Sequence, residues 1–210
     1  FIKMRIIGFD FSINKPAACV YENNTYQFYS WPIGLNEKII KIYRDSGVNL
    51  FYREDKRNFL GDSSEKMRND VSNAVYLSNL IISSFSHKEF HNDIIVFEGL
   101  SFASKGNVVL QLGGYKYILM KEFYDKSVPW DHMITYAPIT LKKTAGASKK
   151  GMGKKEMIES FLKKNSCSFA QIINSNKNLF QKKTGNWIDH LDDLVDSFWA
   201  IETFKEKNKI

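Results

Sequence analysis

The order of the apolar segments constrains the fold of this chain more than any other feature of its sequence. Three β-rich runs come first, and short apolar runs then alternate with longer segments whose apolar residues recur at helical spacing. Strands that alternate with helices are typical of an α/β sheet covered by helices. The sequence therefore predicts a mixed central sheet flanked by helices, in a single domain that spans residues 1–210.

The predicted elements follow this order. The first three strands are expected to form an antiparallel meander, because a turn-favouring Glu-Asn-Asn sequence joins the second to the third. Loops and helices fill an insertion at about 32–90. The full prediction has strands at 4–11, 17–21, 25–31, 93–100 and 133–137, and helices at 36–44, 64–85, 107–124, 154–164 and 189–207.

Composition excludes several classes of protein. Charged residues make up 25% of the chain and hydrophobic residues 43%, which excludes collagen, a coiled-coil rod and a wholly disordered chain. No apolar run approaches the roughly 20 residues that span a bilayer, so we expect no membrane contact. Cys19 and Cys167 lie far apart without a Cys-x-x-Cys pair. This spacing favours a reducing, cytoplasmic compartment over a disulfide framework.

Acidic residues occur where a plain apolar core would exclude them. Asp10 lies inside the first strand between two phenylalanines, and Glu98 ends the run IIVF. A carboxylate inside an apolar strand is costly unless it is paired. The predicted last helix opens with aspartates that fall within an arc of about 100° at 100° per residue. These aspartates are Asp189, Asp192, Asp193 and Asp196.

Divalent cations between the strand acids and the helix acids would remove both the burial cost and the mutual repulsion. Mg²⁺ suits such a site because it takes a few carboxylates and keeps room for waters and phosphate oxygens. Two ions in one acidic cluster would support cleavage of a phosphodiester. The alternative is that the aspartates of the last helix are simply solvated.

A second feature is a basic segment in a chain whose net charge is +7. Residues 142–155 read KKTAGASKKGMGKK and contain six lysines, three glycines and no acid. Glycine lets the backbone approach a phosphate, and lysine attracts the nucleic-acid backbone without regard to sequence. The segment is predicted to be a loop that contacts DNA, with a solvated loop as the alternative.

Other motifs carry less information. His87 and His91 are four residues apart, but the glutamate between them is misplaced for a zinc protease helix. The tryptophans are predicted to lie in the core or an interface, since none is beside the basic segment. They are Trp31, Trp130, Trp187 and Trp199.

Four stretches, in the right order, resemble the RuvC-like Holliday junction resolvases of bacteriophages and other viruses. The first resembles the family's first strand with its catalytic Asp, and the second resembles the strand that ends in the catalytic Glu. The third is similar to a Pro…Lys…Thr-x-Gly…Lys segment, and the fourth to the closing Asp-x-x-Asp helix. They read IIGFDFSINKPAACV, VFEGLSFASKGNVVLQLGG, YAPITLKKTAGASKKGMGKKEM and DDLVDSFWAI. Residues 32–90 match the family poorly.

The resemblance implies an RNase H-like fold, a homodimer and Mg²⁺-dependent nicking of four-way DNA junctions. It implies two-metal phosphodiester hydrolysis, with Mn²⁺ able to replace Mg²⁺. The location would be cytoplasmic, in the host cell if the chain is viral. The catalytic acids and metal ligands that it implies are Asp10, Glu98, Asp193 and Asp196, with Asp189 and Asp192 as alternates for Asp193. His190, offset by one position, is interpreted as incidental.

For DNA binding, the resemblance implies an aromatic residue at the junction centre and basic residues near the scissile phosphate. Phe102 is the nearest match to the aromatic residue, one position later than the family places it. Each basic position has two candidates, because the lysines are doubled. The DNA-binding candidates are Phe102, Lys142, Lys143, Lys149, Lys150, Lys154 and Lys155.

Two alternative functions agree with part of this interpretation, one with the fold and the other with junction binding. The same fold could act on flaps, other branched DNA or RNA–DNA hybrids. The chain could also be a catalytically inactive protein that binds junctions, although its acids are all present. Cleavage of a panel of branched substrates separates these possibilities.

Overall fold

The computed structural model describes residues 4–53, 62–85, 89–100, 107–164 and 166–210. Within these residues, six strands form one sheet in the order β4-β3-β2-β1-β5-β6. The strands are β1 (Ile6–Asp10), β2 (Ala17–Glu22), β3 (Thr25–Ser30), β4 (Asn49–Leu50), β5 (Ile94–Glu98) and β6 (Met133–Tyr136). The helices are α1 (Glu37–Asp45), α2 (Ser63–Ser84), α3 (Asn107–Asp125), α4 (Pro138–Thr144), α5 (Lys154–Phe161), α6 (Ser168–Ser175), α7 (Lys177–Phe180) and α8 (Leu191–Asn208).

The sheet is mixed, as predicted. Strands β1, β2 and β3 pair antiparallel, which confirms the meander. Asn23 and Asn24 make the β2–β3 turn with positive φ angles of 51° and 60°, the conformation that a tight hairpin turn requires. Strands β1 and β5 pair in parallel, and so do β5 and β6. The carboxyl ends of β1, β5 and β6 therefore meet at one edge of the sheet.

Alternate side chains of the strands enter two apolar layers, one on each face of the sheet. Helices α2 and α3 cover one face, where Phe9 and Phe97 are fully buried. Helix α8, together with α4, α5 and α6, covers the other face, where Ile6 and Val96 lie. The predicted apolar face of the last helix is buried as expected, with Leu191, Leu194, Val195, Phe198 and Ile201 all at 0% exposure.

Gly8 allows α8 to lie close to β1. A Cβ atom added at this position would lie 2.2 Å from the carbonyl oxygen of Ser197 and 2.8 Å from Cγ1 of Ile201. No side chain fits at such distances, so any residue other than glycine would force the helix away from the strand. The missing side chain therefore sets how near α8 comes to the carboxyl end of β1.

The prediction of a loop over residues 142–155 was wrong at its start, whereas the helix predicted to begin at residue 154 is confirmed. Helix α4 begins at Pro138, which suits the first helical position, and carries Lys142 and Lys143 in its last turn. Lysines there face the negative end of the helix dipole. Helix α5 begins at Lys154, so only residues 145–153 are outside the two helices.

The last helix begins two residues later than predicted. His190 has a φ angle of 76°, in the left-handed region, so the helix cannot include Asp189. Strand β4 and helices α6 and α7 were not predicted at all. They are short, and sequences of that length carry little periodicity. Among the described residues, no helix combines the length and the apolar character that crossing a bilayer requires.

Candidate active site

Three carboxylates from distant parts of the chain meet at the carboxyl edge of the sheet. Asp10 is the last residue of β1, Glu98 is the last residue of β5, and Asp196 lies in the second turn of α8. One oxygen atom from each of the three lies within 4.8 Å of those of the other two. Parallel pairing of β1 and β5 brings the first two together, and the close approach of α8 at Gly8 adds the third.

The three acids, here named the acid cluster, are held in an environment that opposes their ionisation. Burial raises the pKa of Asp10 well above its ordinary value, and the charges of Glu98, Asp193 and Asp196 raise it further. Burial and the charge of Glu98 do the same to the pKa of Asp196. Burial also raises the pKa of Glu98, against the opposing charge of Lys154. The acid cluster therefore has more negative charge than its surroundings neutralise.

The donors of the acid cluster fit a hard divalent cation. They are carboxylate oxygens, the ligand type that Mg²⁺ prefers, and they come from three separate elements that packing holds in place. A cation among them would provide the positive charge that the protein itself supplies only at the edge of the cluster. Asp10, Glu98 and Asp196 are thus the residues that could hold Mg²⁺.

Asp193 lies next to the acid cluster and is linked to it through Asp10. A side-chain hydrogen bond joins the two carboxyl groups. Burial acts to raise the pKa of Asp193, but a hydrogen bond from His190 and the charges of His190 and Lys154 hold it below the ordinary value. His190 thus favours the ionised form of Asp193, beside an Asp10 whose ionisation burial opposes.

The two alternate aspartates lie outside the acid cluster and pair with lysines. The exposed Asp189 precedes α8, and its Oδ1 accepts a hydrogen bond from Nζ of Lys182 at 2.7 Å. Asp192 accepts a hydrogen bond from Nζ of Lys154. Neither carboxylate belongs to the group of acids that could share an ion.

Two of the candidate lysines act directly on the acids. Nζ of Lys154 lies 3.8 Å from Oδ1 of Asp193. The positive charges of Lys154 and Lys142 both act to lower the pKa of Glu98. Lys142 and Lys154 each belong to one of the Lys-Lys pairs in the sequence, so the structure distinguishes them from their neighbours. The other four candidates are exposed: Lys143, Lys149, Lys150 and Lys155.

Sequence reasoning missed a buried cation beneath the acid cluster. Lys116 of α3 is 5% exposed, and its Nζ donates a hydrogen bond to the backbone oxygen of Glu98 at 2.9 Å. Burial lowers the pKa of Lys116 to about 8, although the charges of Glu98 and Asp10 act to raise it. The only signal in the sequence was a lysine within the apolar part of a helix.

His190, interpreted from the sequence as incidental, is not a member of the acid cluster but lies in contact with its neighbour Asp193. Its side chain is buried and bonds to Asp193 on one side and to Ser30 on the other. The Asp193 contact is local, three residues along the chain, but the sequence does not reveal the contact with Ser30, which lies 160 residues away.

Trp187 packs partly against the core, as predicted, but the expectation that no tryptophan lies beside the basic segment was wrong. Trp187 lines a groove of about 440 Å³ together with Lys15, Lys154 and Lys155, beside Asp193. The core predictions for Trp31 and Trp199 are confirmed, at 0% and 1% exposure, whereas Trp130 is 52% exposed. Phe102, the candidate for the junction centre, and His87 lie outside the described residues.

Comparison with known proteins yields similarity in structure only. No family model and no curated protein sequence matches the chain. The yeast mitochondrial Holliday junction resolvase is 13% identical, with a TM-score of 0.54 over 96% of this chain and 77% of that chain. Thermus thermophilus RuvC in complex with a Holliday junction substrate is 12% identical, with a TM-score of 0.46 over 98% and 96% of the two chains. The fowlpox virus resolvase in complex with its substrate junction DNA is 18% identical, with a TM-score of 0.45 over 98% and 99%.

The similarity to the yeast protein includes nearly the whole of this chain. At 13% identity it is a likeness of architecture, and it agrees with the mixed sheet and the helical layers described above. The chain therefore has the RNase H-like fold that the family resemblance implied, in common with the yeast mitochondrial Holliday junction resolvase.

Proposed function

We propose that this chain is a Holliday junction resolvase, a metal-dependent endonuclease that nicks four-way DNA junctions. The observation that carries the proposal is the acid cluster, in which oxygens of Asp10, Glu98 and Asp196 lie within 4.8 Å of one another. The cluster lies at the edge of an RNase H-like sheet, and lysines adjoin it. The resemblance of the four sequence stretches to the RuvC-like resolvases supports the choice of substrate.

The acid cluster and Asp193 would together hold Mg²⁺, in a site for two ions. Mn²⁺ would substitute, because it accepts the same oxygen ligands. Bound ions would activate a water molecule for attack on the phosphodiester and stabilise the leaving oxygen.

The residues of the chain itself would position and neutralise the DNA. Lys142 and Lys154, which act on Glu98, would bring positive charge to the scissile phosphate and offset the negative charge that develops on it. The exposed lysines would bind the DNA backbone through phosphate contacts. These are Lys143, Lys149, Lys150 and Lys155. Phe102 keeps its proposed role at the junction centre.

We also propose that the protein is a homodimer that pairs through α2 and α3. Met67, Val71 and Leu110 line one apolar groove between these helices and are 70%, 51% and 76% exposed. Apolar side chains exposed side by side, with polar residues at the rim, are a feature of interaction surfaces. A second copy would cover it and place two active sites on one junction, as paired cuts on opposed strands require.

The test is cleavage of a synthetic four-way junction with Mg²⁺. Asp10→Asn removes a charged ligand without changing side-chain volume, so we expect cleavage to fall to background while junction binding, measured in EDTA, is retained. Asp45→Asn is the matched control, since Asp45 is exposed on α1 and pairs with Lys41 on the same helix.

Linear duplex, flaps and RNA–DNA hybrid complete the substrate panel. Selective cutting of the four-way junction is the expected outcome. An active Asp10→Asn variant would contradict the acid cluster as the catalytic site. Equal cutting of linear duplex would contradict the junction as the substrate.

A further inference from the structure

His190 occupies an unusual position at the start of α8. Its backbone has φ 76° and ψ −4°, a left-handed conformation that residues with a Cβ adopt at a cost. Its side chain is buried, with the whole residue 2% exposed. Although it is the residue that precedes the helix, its side chain makes no capping hydrogen bond to α8. The ring therefore serves a purpose other than ending the helix.

Both ring nitrogens of His190 have a partner. Nδ1 lies 2.7 Å from Oδ2 of Asp193, and Nε2 lies 2.5 Å from Oγ of Ser30. Ser30 is the last residue of β3 and is fully buried, and its hydroxyl also lies 3.1 Å from the backbone oxygen of Pro16. The ring is thus held from one side by the sheet.

The insertion between the third and fourth predicted strands holds the ring from another side. Tyr43 of α1 meets His190 edge to face, with 6.1 Å between ring centres and an interplanar angle of 87°. The Tyr43 hydroxyl donates a hydrogen bond to the backbone oxygen of Asp189 at 2.8 Å. Residues 32–90, which match the resolvase family poorly, therefore contribute a wall of this pocket.

The bonding pattern determines what His190 does to Asp193. A carboxylate can only accept a hydrogen bond, so Nδ1 carries the hydrogen and donates it. The Ser30 hydroxyl donates its hydrogen to the backbone oxygen of Pro16, which leaves the lone pairs of Oγ facing Nε2. Oδ2 of Asp193 is fixed by the donor, and the carboxyl group is held against Asp10 of the acid cluster.

We propose that His190 and Ser30 are positioning residues that hold the Asp193 carboxylate in the orientation needed to bind a metal ion. The inference deepens the proposed function and rests on it, since it assigns Asp193 as the fourth ligand. Carboxylates that bind metals are themselves hydrogen-bonded, and these outer partners fix their orientation.

Three substitutions separate positioning from a general contribution to folding. His190→Gly accepts the left-handed backbone but removes the donor. His190→Asn also tolerates that backbone, and its amide places an N–H near the position of Nδ1. Ser30→Ala removes the partner of Nε2 and leaves Asp193 untouched. His91→Gly is the control, since His91 is exposed.

The measurement is Mn²⁺ affinity by calorimetry on the full chain without DNA, together with thermal unfolding. We expect His190→Gly to bind Mn²⁺ about 10-fold or more weakly than the parent, the usual effect of losing an outer partner of a ligand. His190→Asn should recover most of that loss, and Ser30→Ala should lie between the two. In junction cleavage, kcat should fall in the same order while KM is unchanged.

Mn²⁺ affinity that is unchanged in His190→Gly would overturn the proposal. If that variant does not fold, Ser30→Ala provides the test. Weaker Mn²⁺ affinity in Ser30→Ala would support the proposal, and unchanged Mn²⁺ affinity would contradict it. A parent protein that binds Mn²⁺ and loses affinity in His190→Gly, yet cuts no junction, would overturn the resolvase function and leave the positioning role intact. A parent that binds no Mn²⁺ would overturn both.

Discussion

Asp196 shows how its surroundings change what a single carboxylate does. It belongs to an aspartate-rich helix start, yet it is only 6% exposed and its pKa is raised well above the ordinary value by burial and by Glu98. In the absence of a cation, its ionisation opposes folding. The same residue that would bind a metal therefore destabilises the metal-free protein.

Asp196→Asn should stabilise the metal-free protein. The amide keeps the shape and loses the buried charge, so we expect the free energy of unfolding to rise by about 1–3 kcal/mol. A carboxyl group with a raised folded pKa binds its proton more tightly in the folded state, so stability is lost as pH rises. The gain in unfolding free energy of Asp196→Asn over the parent should therefore be absent at pH values below 3.8, the ordinary pKa of an aspartate, and largest at alkaline pH.

Urea unfolding in EDTA at several pH values measures this effect. Excess Mg²⁺ should reverse the order of stability, because only the parent retains the full ligand set. Asp45→Asn, an exposed position, should show neither behaviour. Equal stability of parent and Asp196→Asn across the pH range would mean that Asp196 is not held in an unfavourable environment.

At the scale of elements, the contact between β1 and α8 determines whether a site exists. Strand pairing alone brings Asp10 and Glu98 to one edge, but Asp196 joins them only because the helix comes close to the strand at Gly8. The insertion acts in the same region, since Tyr43 of α1 supports the segment before α8. The acid cluster is therefore a product of helix placement as much as of strand order.

Gly8→Ala should weaken both the fold and the site. The added Cβ would meet the Ser197 carbonyl oxygen at 2.2 Å, so α8 must move. We expect a loss of about 1–3 kcal/mol in the free energy of unfolding, the usual cost of overpacking. Mn²⁺ affinity should fall as well, because Asp196 moves away from Asp10.

Gly114→Ala is the matched control. It adds the same methyl group within α3, where nothing lies within 4 Å of the new atom. Alanine favours a helix over glycine, so this variant should be more stable by about 0.5–1 kcal/mol with unchanged Mn²⁺ affinity. Parent-like stability and metal affinity in Gly8→Ala would show that α8 is not held by this contact.

At the scale of the whole molecule, the two faces of the sheet differ in what covers them. Helix α8 and its neighbours bury one face and bring the acids together. Helices α2 and α3 cover the other face but leave Met67, Val71 and Leu110 exposed. This division separates the acid cluster from the surface that we assign to the dimer.

Val71→Asp combined with Leu110→Asp should convert the proposed dimer into a monomer. Charges at these two positions would be costly to bury against a second copy. Analytical ultracentrifugation measures the mass, and we expect the variant to keep Mn²⁺ binding while paired cuts on opposed strands give way to single nicks.

Leu179→Asp is the control, because Leu179 is 47% exposed on α7 and lies away from the groove. It should leave the dimer intact. A parent protein that sediments as a monomer at all concentrations tested would remove the dimer from the proposal while leaving the acid cluster and its chemistry in place.

Much of the architecture could be predicted because it depends on local patterns. Each strand and long helix buries a face, and that burial leaves a period of two or of 3.6 in the sequence. Asp10 and Glu98 were recognisable as candidates because a charged residue in an apolar strand is anomalous by itself. Short elements such as β4, α6 and α7 have too few residues to show a period.

The sequence by itself thus determined the sheet, its helical layers and the two strand acids. Only the tertiary structure decided which aspartate of the last helix completes the acid cluster, because that depends on where α8 begins and how near Gly8 allows it to come. The same holds for the contact of Lys116 with Glu98 and that of His190 with Ser30, which join residues 18 and 160 positions apart. Local patterns report what each segment must bury, whereas contacts between segments arise only once the chain has folded.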